Sequence, residues 1–171
     1  MRNFTYIGLL IFLLSMPGSQ VFAQSKTLIP FSLQDQFDKT YTQDYYHGYY
    51  VILVGGDRKG SEYCFIWSDT IKNRLDKESL DERTKVLGIA DLEAAPSALK
   101  KLIKSKFPRE KEHGVMLDWN GTFDQAYNFT EDQANIIVFA PDGRQIYRTS
   151  ATDIDQARMN SILASILRRA T

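Results

Sequence analysis

The sequence predicts an α/β domain in three layers, with helices on both faces of a mixed central sheet. Three observations predict it. The continuous apolar run at residues 51–54 and the largely apolar runs at 85–90 and 134–139 read as strands, the first two of them buried. Segments with apolar residues at helical spacing follow the first two runs and close the chain. Between the third run and the last such segment, Pro141-Asp142-Gly143 marks a tight turn, which gives the sheet an antiparallel end. A chain of 171 residues, 43% hydrophobic and 25% charged, fits one ordinary domain.

The chain opens with a segment to be set aside before the fold is read. Met1-Arg2-Asn3 carries one positive charge, residues 7–14 are uninterrupted apolar, Pro17 and Gly18 break that run, and Val21-Phe22-Ala23 places small residues at the −3 and −1 positions of a cleavage site. Residues 1–23 therefore read as a secretory signal and 24–171 as the mature domain. The apolar run is too short for a membrane span, which needs about 20 residues. No cysteine near the cleavage site offers a lipid anchor. The signal holds one charge, so the mature chain stays close to neutral. That balance gives no footprint for nucleic acid or for an anionic membrane.

In the mature chain, residues 28–33 read as an extended edge, marked by Pro30, and residues 35–44 as a polar turn. An aromatic stretch with Tyr45, Tyr46, Tyr49 and Tyr50 leads into the run at 51–54, which reads as the central strand. Residues 55–60 form a glycine-containing loop, and Ser61 is the expected N-cap of a helix. Cys64, Trp67, Ile71 and Leu75 give that helix one apolar face. The strand at 85–90 follows. A second helix opens with Pro96 in its first turn, carries Leu99, Leu102, Ile103 and Phe107 on one face, and stops at Pro108. Residues 114–118 are a short strand, 134–139 the next, and 145–149 the return strand of the hairpin. Thr152 and Asp155 are spaced as a capping box for the last helix. Its stripe is Met159, Ile162, Leu163, Ile166 and Leu167, and Arg168 and Arg169 suit the negative end of its dipole.

This layout resembles the thioredoxin-like superfamily, in particular its redoxin branch with exported members. The resemblance rests on Ile29-Pro30-Phe31-Ser32-Leu33-Gln34-Asp35, on the strand at 51–55 running into a loop and helix, on residues 86–90, and on residues 136–144, where a hydrophobic strand meets an Asp-Gly turn. It implies a redox site where the strand meets the helix. There a Cys-x-x-Cys pair would stand in the first helical turn, its first thiol activated by the helix N-terminus and its second resolving the mixed disulfide. The pair would fall at Lys59 and Glu62. The chain reads Lys59-Gly60-Ser61-Glu62, and both sulfurs are missing. The family's cis-proline, opposite that pair, would fall at about Ala134, where a non-proline is expected to be trans. A peroxiredoxin-type Thr and Cys are also missing between Asp57 and Glu62. The resemblance therefore implies a degenerate active site.

Cys64 is the only cysteine. It is either a core residue beside Trp67 and Ile71 or the reactive thiol of a peroxide-reducing or redox-sensing site, and helical spacing favours the core. The second candidate site is the loop itself: Gly56, Asp57, Arg58, Lys59, Gly60, Ser61 and Glu62, with Ala134 facing it. Its glycines, cations and helix start suit an anion or carboxylate, although a Walker A lysine is missing, because Ser61 stands there. Asp118-Trp119-Asn120-Gly121 and Tyr127-Asn128 are either a binding surface or a plug at the core edge. His47 and His113 have no partner at metal-ligand spacing, so no metal and no cofactor are expected. The sequons at Asn120 and Asn128 read as chance. The expected function is an exported binding or scaffolding module, periplasmic or secreted, whose partner is an envelope protein or a small anionic ligand. The alternative is a single-cysteine redox protein. The lone thiol leaves a homodimer open.

Overall fold

The structure, a computed structural model, describes residues 26–109 and 114–167. The signal segment, His113, Arg168 and Arg169 lie outside them. The central sheet has the strand order β5-β4-β3-β6-β7. β3 (Tyr50–Gly56) is its middle strand, parallel to β4 (Thr84–Asp91) and antiparallel to β6 (Ala134–Phe139). β4 is parallel to β5 (Val115–Asp118), and β6 is antiparallel to β7 (Gln145–Ala151). The sheet is therefore mixed, as the sequence predicts.

The apolar run at 51–54 is continuous because the sheet is covered on both sides. Ile52 and Val54 point to one face and Val51 and Leu53 to the other. On the first face lie α1 (Ser61–Lys77) and α4 (Gln156–Leu167), which bring Trp67, Ile71, Leu75, Met159, Ile162 and Ile166 against Ile136 and Val138. Each such fully buried side chain contributes roughly 2 kcal/mol of apolar burial. On the second face, Phe123 and Tyr127 pack with Leu28, Tyr46, Leu87, Ile89 and Phe139. Of the four tyrosines in the approach, Tyr46 and Tyr50 are buried, and Tyr45 and Tyr49 hold the Lys85 ammonium at 3.7 and 3.9 Å from their ring centroids.

Five local features depart from the sequence reading. Residues 35–44 are not all turn: β1 (Ser32–Gln34) pairs antiparallel with β2 (Thr40–Thr42). The Asp35 carboxylate accepts the Phe37 and Lys39 amides at 2.8 and 2.9 Å and closes the hairpin between them. Gly55 and Gly56 belong to β3, not to the loop after it. α1 is capped by Gly60, while Ser61 is its first residue and donates its hydroxyl to the Arg58 carbonyl. α4 is capped by Asp155, which accepts the Ala157 and Arg158 amides, and Thr152 bonds to Asp153 instead. The second helix is reduced to a 3-10 turn, Ser97–Leu99, and the five-residue α2 (Lys100–Lys104), and Leu99 and Leu102 are exposed.

One helix was invisible in the sequence. α3 (Thr122–Tyr127) is too short for a periodic signal. It is started by Gly121 at φ 63 and by the buried Asp118, whose Oδ2 accepts the Phe123 amide at 2.8 Å. Tyr127 and Asp118 are thus core-building residues. Trp119 is half-buried with Lys100 4.9 Å above its ring. His47 is exposed.

Candidate functional site

The C-terminal end of β3, the turn into α1 and the loop before β6 form one corner. Its closeness depends on two glycines. A Cβ on Gly60 would stand 2.5 Å from the Gln133 carbonyl oxygen, and one on Gly56 would stand 2.7 Å from that same oxygen. The loop carrying Asp132, at φ 59, therefore lies directly on the start of α1. Polar bonds fasten the two. Asp57 accepts the Gly60 amide with Oδ1 at 2.7 Å and the Asp132 amide with Oδ2 at 3.0 Å. Lys59 bonds to the Asp132 carboxylate at 3.0 Å.

The Asp57 carboxylate has a physical consequence for ligand choice. Burial opposes its charge, but the amides of Asp132, Gly60 and Lys59 converge on it and hold its pKa below the ordinary carboxylate value. It occupies amides at the helix start that would otherwise meet an anion. Lys59, raised by its bond to Asp132, is likewise engaged. The cavity next to this corner, about 270 Å³ in volume, is lined by Asp57, Asp91, Asp124 and Glu131 beside Phe129. Burial and then the neighbouring acids Asp124, Asp118 and Glu93 raise the pKa of Asp91, while the Glu93 amide works the other way. The corner is thus acidic, which suits an anionic ligand poorly.

The positions where the resemblance implies sulfur are now placed. Lys59 lies in the turn and Glu62 in the first turn of α1, both exposed. Ala134 is fully buried and packs with the core of the first face, so its side chain does not reach the corner. The carbonyl of Gln133 does. Among the described residues no peptide bond is cis. Gly56 and Gly60 are buried as well, so the exposed surface consists of Arg58, Lys59, Ser61, Glu62, Glu131 and Asp132.

Sequence periodicity missed a further part of that surface. Glu62, Phe65, Ile66 and Asp69 recur at helical spacing on the outer side of α1, and Phe65 and Ile66 are 50% and 41% exposed. The inner stripe of Cys64, Trp67, Ile71 and Leu75 concealed this second face. The signal lay in Phe65-Ile66 interrupting an otherwise polar outer side.

Cys64 follows that surface inward. It is half-buried against the core cluster, and its sulfur would be 2.9 Å from a Cβ on Gly56. Burial, and then the nearby Asp57 charge, push the thiol up from 9.0 to about 12, while the Asn135 amide works weakly the other way. The chemistry available is therefore that of an inert thiol. At neutral pH the native thiol is expected to react with a maleimide or disulfide reagent at least roughly thirtyfold more slowly than in the unfolded chain, since the smaller thiolate fraction is only partly offset by the greater nucleophilicity of a more basic thiolate. Native labelling within tenfold of the unfolded rate would refute the assignment. The same shift works on stability: a thiol and the Tyr127 phenol, ordinarily 10.0, both raised to about 12, favour the fold below pH 9, and that contribution is lost as pH rises through 12.

Among the described residues no cluster of His, Cys, Asp or Glu is arranged to hold a metal ion, and no helix is long and apolar enough to cross a membrane.

No family model matches the sequence, and no curated protein matches it. Solved structures do match. The pneumococcal exposed lipoprotein thioredoxin of Streptococcus pneumoniae superposes with TM-score 0.60 at 18% identity, over 79% of this chain and 98% of that one. The thioredoxin domain of a thiol-disulfide oxidoreductase from Bacteroides vulgatus gives 0.56 at 13% identity, over 84% and 97%. Peroxiredoxin Q of Xanthomonas campestris gives 0.59 at 12% identity, over 82% and 92%. With its mixed five-stranded sheet, flanking helices and β6–β7 hairpin, the chain has the thioredoxin-like fold.

Proposed function

We propose that the chain is an exported thioredoxin-fold protein that has given up disulfide exchange and serves as a binding or scaffolding module for another envelope protein. The observation that carries this reading is the outer side of α1. Two large apolar side chains, Phe65 and Ile66, stand exposed one turn along α1 from Glu62, with the exposed Arg58 and Lys59 in the turn before the helix. Apolar side chains rimmed by charge are the usual make-up of a protein-binding patch. The Asp57 carboxylate at the helix start favours a protein partner over a small anion. The raised Cys64 thiol weighs against the single-cysteine redox reading.

The test is capture from envelope extract on the immobilised chain, with Phe65→Ser/Ile66→Ser as the comparison. Both positions are exposed, so the fold survives the change. A protein retained by the parent chain and lost with the pair supports the reading. Retention of nothing beyond what an unrelated exported protein retains would overturn it, as would rapid reduction of insulin disulfides by the chain.

A further inference from the structure

The near-neutral total charge conceals a local asymmetry. Residues 97–109 hold Lys100, Lys101, Lys104, Lys106 and Arg109 and no acid. Four of these cations are exposed. Lys104 is tied to Asp38 of the β1–β2 turn, which fixes α2 against the domain. Beside these cations, Leu99 and Leu102 are 43% and 55% exposed. Trp119 lies half-buried under Lys100 at the groove that α2 forms with the β1–β2 hairpin. The groove is lined by Lys100, Lys101, Lys104 and Trp119 together with Asp35 and Asp38, and the exposed Leu99 and Leu102 belong to the same short segment.

We infer that this α2 face is a peripheral docking site for an anionic phospholipid bilayer. Lipid headgroups supply the negative charge, and the boundary beneath them takes apolar side chains a few ångströms deep. A surface that alternates lysine with exposed leucine beside a tryptophan fits both layers. The exposed cations of residues 97–109, with no acid among them, match the uniform charge of a bilayer surface better than the mixed charges of a protein surface. The segment lies on the bilayer and does not enter it. The lysine stems cover apolar surface while their ammonium groups stay at headgroup level. This inference rests on α2 and is independent of the partner surface on α1.

The chain from residue 24 is mixed with vesicles of phosphatidylglycerol and phosphatidylcholine, and separately with phosphatidylcholine alone. Co-sedimentation is expected with the anionic vesicles only, and is lost at about 1 M salt, where screening acts within about 3 Å. Trp119 emission is expected to shift to the blue on binding, with Trp67 already buried and silent. Lys100→Gln/Lys101→Gln removes two exposed charges and is expected to weaken binding about thirtyfold. Leu102→Ser is expected to weaken it severalfold and to reduce the blue shift. The inference is overturned if neither vesicle binds, if phosphatidylcholine alone binds equally, or if the double lysine variant binds as the parent does. Salt-sensitive capture of polyglutamate without capture of vesicles would make the face a protein site and would overturn it too.

Discussion

Gly60→Ala is expected to cost about 3 kcal/mol of stability. The new methyl would stand 2.5 Å from the Gln133 carbonyl oxygen and 3.0 Å from the Gln133 carbonyl carbon and amide nitrogen. All three are backbone atoms, so no side chain can rotate away. Gln133 directly precedes β6, and the Asn135 side chain bonds to its carbonyl, so the loop resists moving outward. The sign of the effect makes the test decisive. Gly60 sits at φ −73, ψ −10, a conformation alanine adopts freely. Judged by backbone freedom alone, the substitution would stabilise the chain by up to about 1 kcal/mol. A urea midpoint that rises would therefore show that the two loops are not in contact. A midpoint that falls, with faster native labelling of Cys64, is the expected result.

The second large effect is expected at Asn135, fully buried at the start of β6. Its Oδ1 accepts the Thr130 amide at 2.7 Å and the Ser150 hydroxyl at 2.8 Å. Its Nδ2 donates to the Thr130 and Gln133 carbonyls at 3.0 and 3.3 Å. One side chain thus stitches the loop facing α1 to the strand behind it. Asn135→Ala removes four part-buried hydrogen bonds at once, at a cost of about 3 kcal/mol. For a domain of this size the melting temperature falls by roughly 10 °C. Asn135→Asp keeps the acceptor but turns the donor into a second oxygen facing two carbonyls, so it is expected to be no better. A calorimetric shift below about 2 °C for the alanine variant would mean that the loop is held by something else.

The sheet was legible because its evidence is side-chain chemistry repeated along the chain. Residues 51–54, 85–90 and 134–139 are apolar at every position or nearly so, and only a doubly covered sheet requires that. β2 and α3 escaped for the opposite reason. Thr40-Tyr41-Thr42 pairs on the surface with one face in water, and Thr122–Tyr127 is started by Asp118, a cap outside the usual spacing. The loss of the redox pair was readable from a single cysteine. The way the corner is closed was not, because the decisive contact on Gly56 and Gly60 is a backbone carbonyl, and any residue at 133 supplies one. The second face of α1 is hidden behind a stronger stripe, and Asp57, counted in the sequence among the residues of an anion site, is itself the anion at the helix start.

β3 has its two neighbours on opposite sides of the sequence calendar. β4 follows it after one helix, but β6 is far along the chain, and Val51 pairs with Phe139. During synthesis the β3–α1–β4 unit is complete long before residue 134 is made. Through that interval the apolar edge of β3 has open backbone groups, which is the surface on which unlike chains pair wrongly. Closing it late, across a long separation, makes for slow folding. A chain cut short before Ala134 would leave that edge open permanently, so a truncated form carries an unpaired strand edge that the finished domain covers.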